Sequence, residues 1–107
     1  MADLADVTDA DFASEVLSPG TLALVDFWSD DCPPCRVIAP ILSELAADYD
    51  GRVRILKLNV YDNPATPSRF GVRAMPTVLA FSNGEVVGQV TGAAPRRKLE
   101  ELVQKLL

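Results

Sequence analysis

The period of apolar and polar positions changes several times along the chain, and each period predicts one kind of element. A nearly continuous apolar run, Leu22 to Trp28, is typical of a strand buried on both faces of a parallel sheet. From Pro34, apolar residues recur at helical spacing until Asp50-Gly51 ends the pattern. Val53 to Leu58 is a second apolar run of strand length. These segments predict a strand, a long helix and a second strand.

The flanking segments extend this alternation. Before the first run, a capped helix starts at Thr8-Asp9-Ala10-Asp11 and is ended by Ser18-Pro19-Gly20. After the second run, a short helix is predicted within Asn59 to Ser68, followed by a hairpin of Thr77 to Phe81 and Glu85 to Thr91 around Asn83-Gly84. A last helix is predicted over Pro95 to Leu107. With no repeat and no linker, the order predicts one α/β domain over residues 1–107, with an antiparallel pair at one edge of the sheet.

Composition and charge narrow the function classes. A hydrophobic content of 49% suffices for a core without disulfide staples. The net charge is −5 and the longest basic cluster is Arg96-Arg97-Lys98, which argues against a nucleic-acid partner. Met1 to Asp6 has no leader pattern, and no apolar stretch is long enough to span a bilayer. We therefore expect a cytoplasmic protein, a monomer, with no membrane partner.

The two cysteines form a Cys-x-x-Cys pair between the first apolar run and the long helix. At a helix N-terminus, unpaired N–H groups and the helix dipole stabilise a thiolate, which is the reactive form of cysteine. One helical turn brings residues i and i+3 to roughly 5–6 Å, within disulfide range. Cys32 is therefore the candidate nucleophile, and Cys35, one turn deeper, is the candidate resolving thiol.

The pair has two other interpretations. A structural zinc site needs about four ligands, and the chain has no histidine and no third cysteine. Two inert buried thiols are the second alternative. The spacing and its strand-to-helix context favour a redox pair over both.

Asp26 in the first apolar run and Lys57 in the second are charged residues with apolar neighbours on both sides. Burial would raise the pKa of the Asp26 carboxyl and suit it to proton transfer with Cys35. The alternative is a carboxyl that is solvated at a strand edge or capped by a polar neighbour. Lys57 could pair with Asp26 through a bridging water, or it could be an exposed amine whose stem packs on the sheet. For Pro76, at the start of the third strand, both a trans and a cis bond remain open.

Taken together, these segments resemble the thioredoxin family, in its bacterial type, over essentially the full chain. The matching stretches are Val25-Asp26-Phe27-Trp28, Cys32-Pro33-Pro34-Cys35-Arg36, Ala39-Pro40-Ile41-Leu42, Lys57-Leu58-Asn59-Val60, Asn63-Pro64, Phe70-Gly71-Val72-Arg73, Met75-Pro76-Thr77, Phe81-Ser82-Asn83-Gly84-Glu85 and Gly92.

The resemblance implies a thioredoxin fold, with a central mixed four- to five-stranded sheet flanked by helices on both faces. It implies reduction of protein disulfides through Cys32 and Cys35, with no bound cofactor or metal, and recharging by a flavin-containing, NADPH-dependent thioredoxin reductase. It places the buried acid at Asp26, the sheet lysine at Lys57 and a cis bond at Pro76. The expected client-docking rim consists of Trp28, Pro33, Ala74, Met75, Gly92 and Ala93.

Three positions depart from the family pattern. The family usually has Trp and Gly where this chain has Asp31 and Pro33, and Asp where it has Tyr61. We expect Asp31 and Tyr61 to lie near each other, although two independent solvated side chains are the alternative. Negative charge at position 31 should oppose ionisation of Cys32, which the helix terminus favours.

Three functions are compatible with these residues. The leading one is a general protein disulfide reductase. The second is a specialised electron donor whose Asp31/Pro33 face serves one partner or a dedicated reductase. The third is a binding subunit that uses the fold as a scaffold and does not need its cysteines.

Overall fold

The first apolar run becomes the central strand of the sheet, and the other elements are arranged around it. The computed structural model describes residues 4–107; the expectation of no leader falls partly on residues 1–3, which lie outside this range. The elements are β1 (Ala5–Asp6), α1 (Phe12–Val16), β2 (Leu22–Trp28), α2 (Pro33–Asp48), β3 (Arg54–Asn59), α3 (Ala65–Arg69), β4 (Thr77–Ser82), β5 (Glu85–Thr91) and α4 (Arg96–Gln104).

The five strands form one mixed sheet in the order β1-β3-β2-β4-β5. The strands β1, β3 and β2 run parallel, whereas β4 is antiparallel to β2, and β5 is antiparallel to β4. The continuous apolar run of β2 follows from its place, since it has a strand on each side and side chains buried on each face. The expected α/β class and mixed sheet are confirmed.

The core consists of two layers, one on each face of the sheet. On one face, α2 and α4 cover β2 and β4 with a cluster that includes Ile38, Leu42, Leu45, Leu99, Leu102 and Val103. On the other face, α1 contributes Phe12 and Val16 to a cluster with Phe27, Leu58, Phe81 and the partly buried Phe70. The expectation of helices on both faces is therefore confirmed.

Several boundaries differ from the sequence-based ones. The strand β1 was not predicted, because two residues are too short to show an alternation. The regular part of α1 begins only at Phe12, and its N-cap, Asp11, makes no side-chain cap hydrogen bond. The predicted pair instead closes the preceding turn: Thr8 N–H donates to Asp11 Oδ1 (2.7 Å), and Asp11 N–H donates to Thr8 Oγ1 (3.3 Å). Helix α4 ends at Gln104 rather than at the chain end. Within residues 4–107, no helix combines the length and the hydropathy needed to cross a membrane.

Candidate active site

Cys32 and Cys35 lie at the start of α2, directly after β2. Cys32 is the N-cap residue of the helix, and its Sγ accepts a hydrogen bond from the Cys35 N–H at 3.2 Å. The two Sγ atoms form a disulfide across a Cα separation of 5.3 Å. Both residues are buried, with Cys35 3% and Cys32 7% exposed. This Cα separation lies within the range that a disulfide accepts.

The two prolines between the cysteines determine which backbone group serves the sulfur. Pro33 and Pro34 occupy the first two helical positions, where the missing N–H groups break no helical hydrogen bond. The first N–H of the helix is therefore that of Cys35, and it is shared between Cys32 Sγ at 3.2 Å and the Cys32 carbonyl oxygen at 3.1 Å. This donor and the helix dipole are what the helix end offers to negative charge on Cys32 Sγ.

Asp26 lies in the middle of β2 and is 3% exposed. Within residues 4–107 its Oδ1 atom has no hydrogen-bond partner. Burial raises the pKa of the Asp26 carboxyl from its ordinary value of 3.8 to about 7, and the positive charge of Lys57 opposes this rise. The alternative of a solvated or capped carboxyl does not match this position. A group that titrates near neutral pH can both take up and release a proton under working conditions.

Lys57 adopts an arrangement that neither sequence interpretation described fully. It is the register neighbour of Asp26 in β2 and of Asp6 in β1. Its Nζ lies 3.7 Å from Asp6 Oδ1 and 5.1 Å from the centre of the Trp28 ring, and its side chain is 29% exposed. Asp6 was missed by sequence reasoning, because a two-residue strand gives no signal of its register.

A cavity of about 230 Å³ connects these groups. Its lining includes Asp26, Trp28, Cys35 and Lys57, so the buried acid and the deeper thiol border one space. Two polar atoms of these residues, Asp26 Oδ1 and Trp28 Nε1, have no hydrogen-bond partner among residues 4–107. The volume exceeds the roughly 30 Å³ that one water occupies, so water can satisfy both atoms there. Asp26 and Cys35 are therefore separated by a cavity and not by packed side chains.

Pro76 precedes β4 and is buried, and the Met75–Pro76 bond is cis. The register pairs Phe27 with Thr77, which places Pro76 beside Trp28 at the end of β2. Gly92 N–H donates to the Pro76 carbonyl at 2.8 Å, so the segment after β5 is fixed there. Of the other expected rim residues, Pro33, Ala74 and Ala93 are exposed, whereas Trp28, Met75 and Gly92 are partly buried.

Asp31 and Tyr61 lie side by side, as the departures from the family pattern predicted. The Tyr61 hydroxyl donates to Asp31 Oδ2 at 3.3 Å. Ser29, which sequence reasoning missed, donates from Oγ to Asp31 Oδ1 at 3.1 Å. These two donors hold a carboxylate one residue before Cys32. Within residues 4–107, no group of three or more His, Cys, Asp and Glu side chains is arranged to hold a metal ion.

A mixed α/β sheet that presents a Cys-x-x-Cys disulfide at a helix N-terminus, above a buried acid, defines a thiol–disulfide oxidoreductase. The sequence comparisons agree. The family model described as thioredoxin matches residues 3–105. The chain is 45% identical over 105 residues to the thioredoxin of Haemophilus influenzae, covering 98% of each chain. It is 48% identical over 101 residues to the thioredoxin of Staphylococcus aureus, covering 94% of this chain and 95% of the relative.

Thioredoxin 1 of Nostoc sp. is 40% identical over 107 residues and aligns along the whole of both chains. The chain belongs to the thioredoxin family. It is a protein disulfide reductase with its redox-active cysteine pair in place.

Proposed function

We propose that Cys32 is the attacking thiol and Cys35 the resolving thiol of the disulfide reductase. The observation that carries this assignment is the hydrogen bond from the Cys35 N–H to Cys32 Sγ at the N-cap of α2. This donor and the helix dipole favour negative charge on Cys32 rather than on Cys35, which lies within the first turn.

The reaction proceeds in two exchanges. The Cys32 thiolate attacks one sulfur of a client disulfide, forms a Cys32–client disulfide and releases the other client sulfur as a thiolate that takes up a proton. The Cys35 thiolate then attacks Cys32 Sγ, which forms the Cys32–Cys35 disulfide and releases the second client thiolate. Two electrons pass from the dithiol to the client disulfide, so the protein is oxidised and the client reduced.

Asp26 is the proton acceptor for Cys35 in the second exchange. The support for this role is the shared cavity and the raised pKa of the Asp26 carboxyl, about 7. A carboxylate with that pKa takes the thiol proton near neutral pH and can pass it through the cavity to the departing client sulfur. Lys57 sets the charge balance around Asp26.

The client docks beside the cysteines in a groove that Pro76 borders and whose rim is formed by Trp28, Pro33, Ala74, Met75, Gly92 and Ala93. The exposure of Pro33, Ala74 and Ala93 and the Gly92–Pro76 hydrogen bond support this placement. An extended client segment can pair its backbone beside Met75 and bring its disulfide to Cys32.

A flavin-containing, NADPH-dependent thioredoxin reductase returns the disulfide to the dithiol, because members of this family generally work with such a reductase and with disulfide-containing clients. The protein acts as a monomer and as one domain of residues 1–107, without a bound cofactor. Its place is the cytoplasm, where the reductant that this cycle needs is available.

Trapping experiments test the assignment of the two thiols. Cys35→Ser should accumulate mixed disulfides with client proteins, because the resolving thiol is absent. Cys32→Ser should accumulate none and should not reduce insulin in the presence of NADPH and a thioredoxin reductase. Equal trapping by both variants would overturn the assignment, and insulin reduction by Cys32→Ser would overturn the mechanism.

The Tyr61–Asp31 contact favours a second function, that of a donor specialised for one reductase or client. It places a carboxylate and a phenol on the face that a partner must meet. Turnover with a standard thioredoxin reductase at the rate of other thioredoxins would exclude this alternative. Reduction of insulin by dithiothreitol-driven cycling, without turnover by the standard reductase, would support it.

A further inference from the structure

Asp6, Lys57 and Asp26 form a row across three neighbouring parallel strands. The register pairs Asp6 of β1 with Lys57 of β3, and Lys57 with Asp26 of β2. Neighbouring strands are about 4.8 Å apart, so the three side chains succeed one another on one face of the sheet. The lysine lies between an exposed acid and a buried acid.

The lysine is not shared equally between the two acids. Its Nζ forms an ion pair with Asp6 Oδ1 at 3.7 Å, and in the part of the chain that the structure describes no ion pair joins Lys57 to Asp26. The Trp28 ring also contacts the amine, with its centre 5.1 Å from Lys57 Nζ. Asp26 Oδ1 therefore lacks the partner that Asp6 has.

We propose that Asp6 is a positioning residue of the reductase, whose carboxylate holds the Lys57 amine at the outer end of the row and so keeps it from forming a direct ion pair with Asp26. This inference rests on the proposed role of Asp26 as proton acceptor for Cys35. A buried carboxyl without a counter-ion keeps its proton at higher pH than a paired one. Asp6 thereby sets the pH at which the acceptor works.

The other groups around Asp26 cannot replace Lys57 in this role. From α2, Arg36 lines the same cavity, but its Nη1 donates to the Asp30 carbonyl at 3.0 Å. Asp30 itself is exposed, and Cys35 is bound in the disulfide. From β4, the register neighbour of Asp26 is the apolar Val78. Lys57 is therefore the cation whose position decides the charge on Asp26.

The test is an NMR titration of the Asp26 carboxyl carbon in the oxidised protein. In Asp6→Asn the amine loses its outer partner and turns to Asp26, so the Asp26 pKa should fall by roughly half a pH unit, the size typical of an exposed pair. Asp6→Glu should restore the parent value. In a Lys57→Gln background, Asp6→Asn should leave the Asp26 pKa unchanged.

Each alternative gives a different result. If Asp6 acts only by repelling Asp26, the pKa will fall equally in both backgrounds; if Asp6 only fastens β1, unfolding by urea will become easier and the pKa will not move. Either outcome overturns the proposal. Glu15→Gln, which removes a partly exposed acid paired with Arg54 at 3.0 Å, is the matched control and should leave the Asp26 pKa unchanged.

A kinetic measurement separates this inference from the proposed function. The release of client from the mixed disulfide is followed against pH in single-turnover experiments. In Asp6→Asn its profile should move to lower pH by the amount that NMR gives. If the pKa moves and the profile does not, Asp26 is not the proton acceptor, whereas the control of Lys57 by Asp6 stands.

Discussion

Asp26→Asn should be more stable than the parent protein, and this difference in the free energy of unfolding should grow as the pH rises from about 4 to about 7. The carboxyl is 3% exposed, and its pKa is raised from 3.8 to about 7 by burial. Between these two pH values the folded chain binds a proton that the unfolded chain has lost. The free energy of unfolding of the parent therefore falls as pH rises through this window, and levels off above pH 7.

The size of the effect follows from the same two pKa values. A gap of about three pH units corresponds to about 4 kcal/mol, at about 1.36 kcal/mol per pH unit. That is a large share of the roughly 5–15 kcal/mol by which folded proteins are stable. An amide at position 26 does not titrate, so Asp26→Asn should gain about 4 kcal/mol over the parent between pH 4 and pH 8.

Urea unfolding of the oxidised parent and of Asp26→Asn at a series of pH values measures this difference. Asp50→Asn, which removes an exposed acid just beyond α2, is the control and should follow the parent at every pH. A constant difference between parent and Asp26→Asn from pH 4 to pH 8 would refute the burial argument and, with it, the role of Asp26 as a proton acceptor.

Two further predictions concern the nucleophile and the turns. In the reduced protein, Asp31→Asn should let Cys32 ionise at lower pH, because the substitution removes a negative charge one residue away. Thiolate absorbance against pH measures this shift, and an unchanged absorbance profile would contradict the prediction. Gly51 and Gly84 both have φ of +82°, but a Cβ at Gly84 would lie 3.0 Å from the Leu17 carbonyl oxygen, whereas at Gly51 it would meet no described atom within 4 Å. Gly51→Ala should therefore cost about 1–2 kcal/mol in urea unfolding and Gly84→Ala more, and equal losses would show that the contact is unimportant.

The longer elements could be predicted because their patterns are local. The apolar run of β2, the helical repeat of α2 and the Asn83-Gly84 turn each specify a structure from neighbouring residues alone. The strand β1 could not be found in this way, because its hydrogen bonds to β3 are formed only in the folded sheet. Asp9 shows the same limit: its carboxylate accepts hydrogen bonds from Ala65 and Thr66, which lie far along the chain.

The candidate site also combines features that local sequence predicts with features that only the folded chain shows. The cysteine spacing and an acid within an apolar strand are visible in sequence, and the double departure at positions 31 and 61 predicted a contact that the structure contains. The ion pair of Lys57 was not visible, because both acids in its row are register neighbours and only the folded geometry shows which one holds the amine. The missing donors of Pro33 and Pro34 became informative only once their helical positions were known.

The strand order also decides when the parts of the site exist during synthesis. β2 and the cysteines come from the first third of the chain, but the strand that closes the open side of β2 is β4, which begins about 40 residues after Cys35. At a translation rate of about 5–20 residues per second, the two thiols are made roughly 2–8 s before their neighbouring strand. For that time the nascent chain carries the cysteine pair without the complete sheet that positions it, so the pair meets other thiols before the fold can shield it.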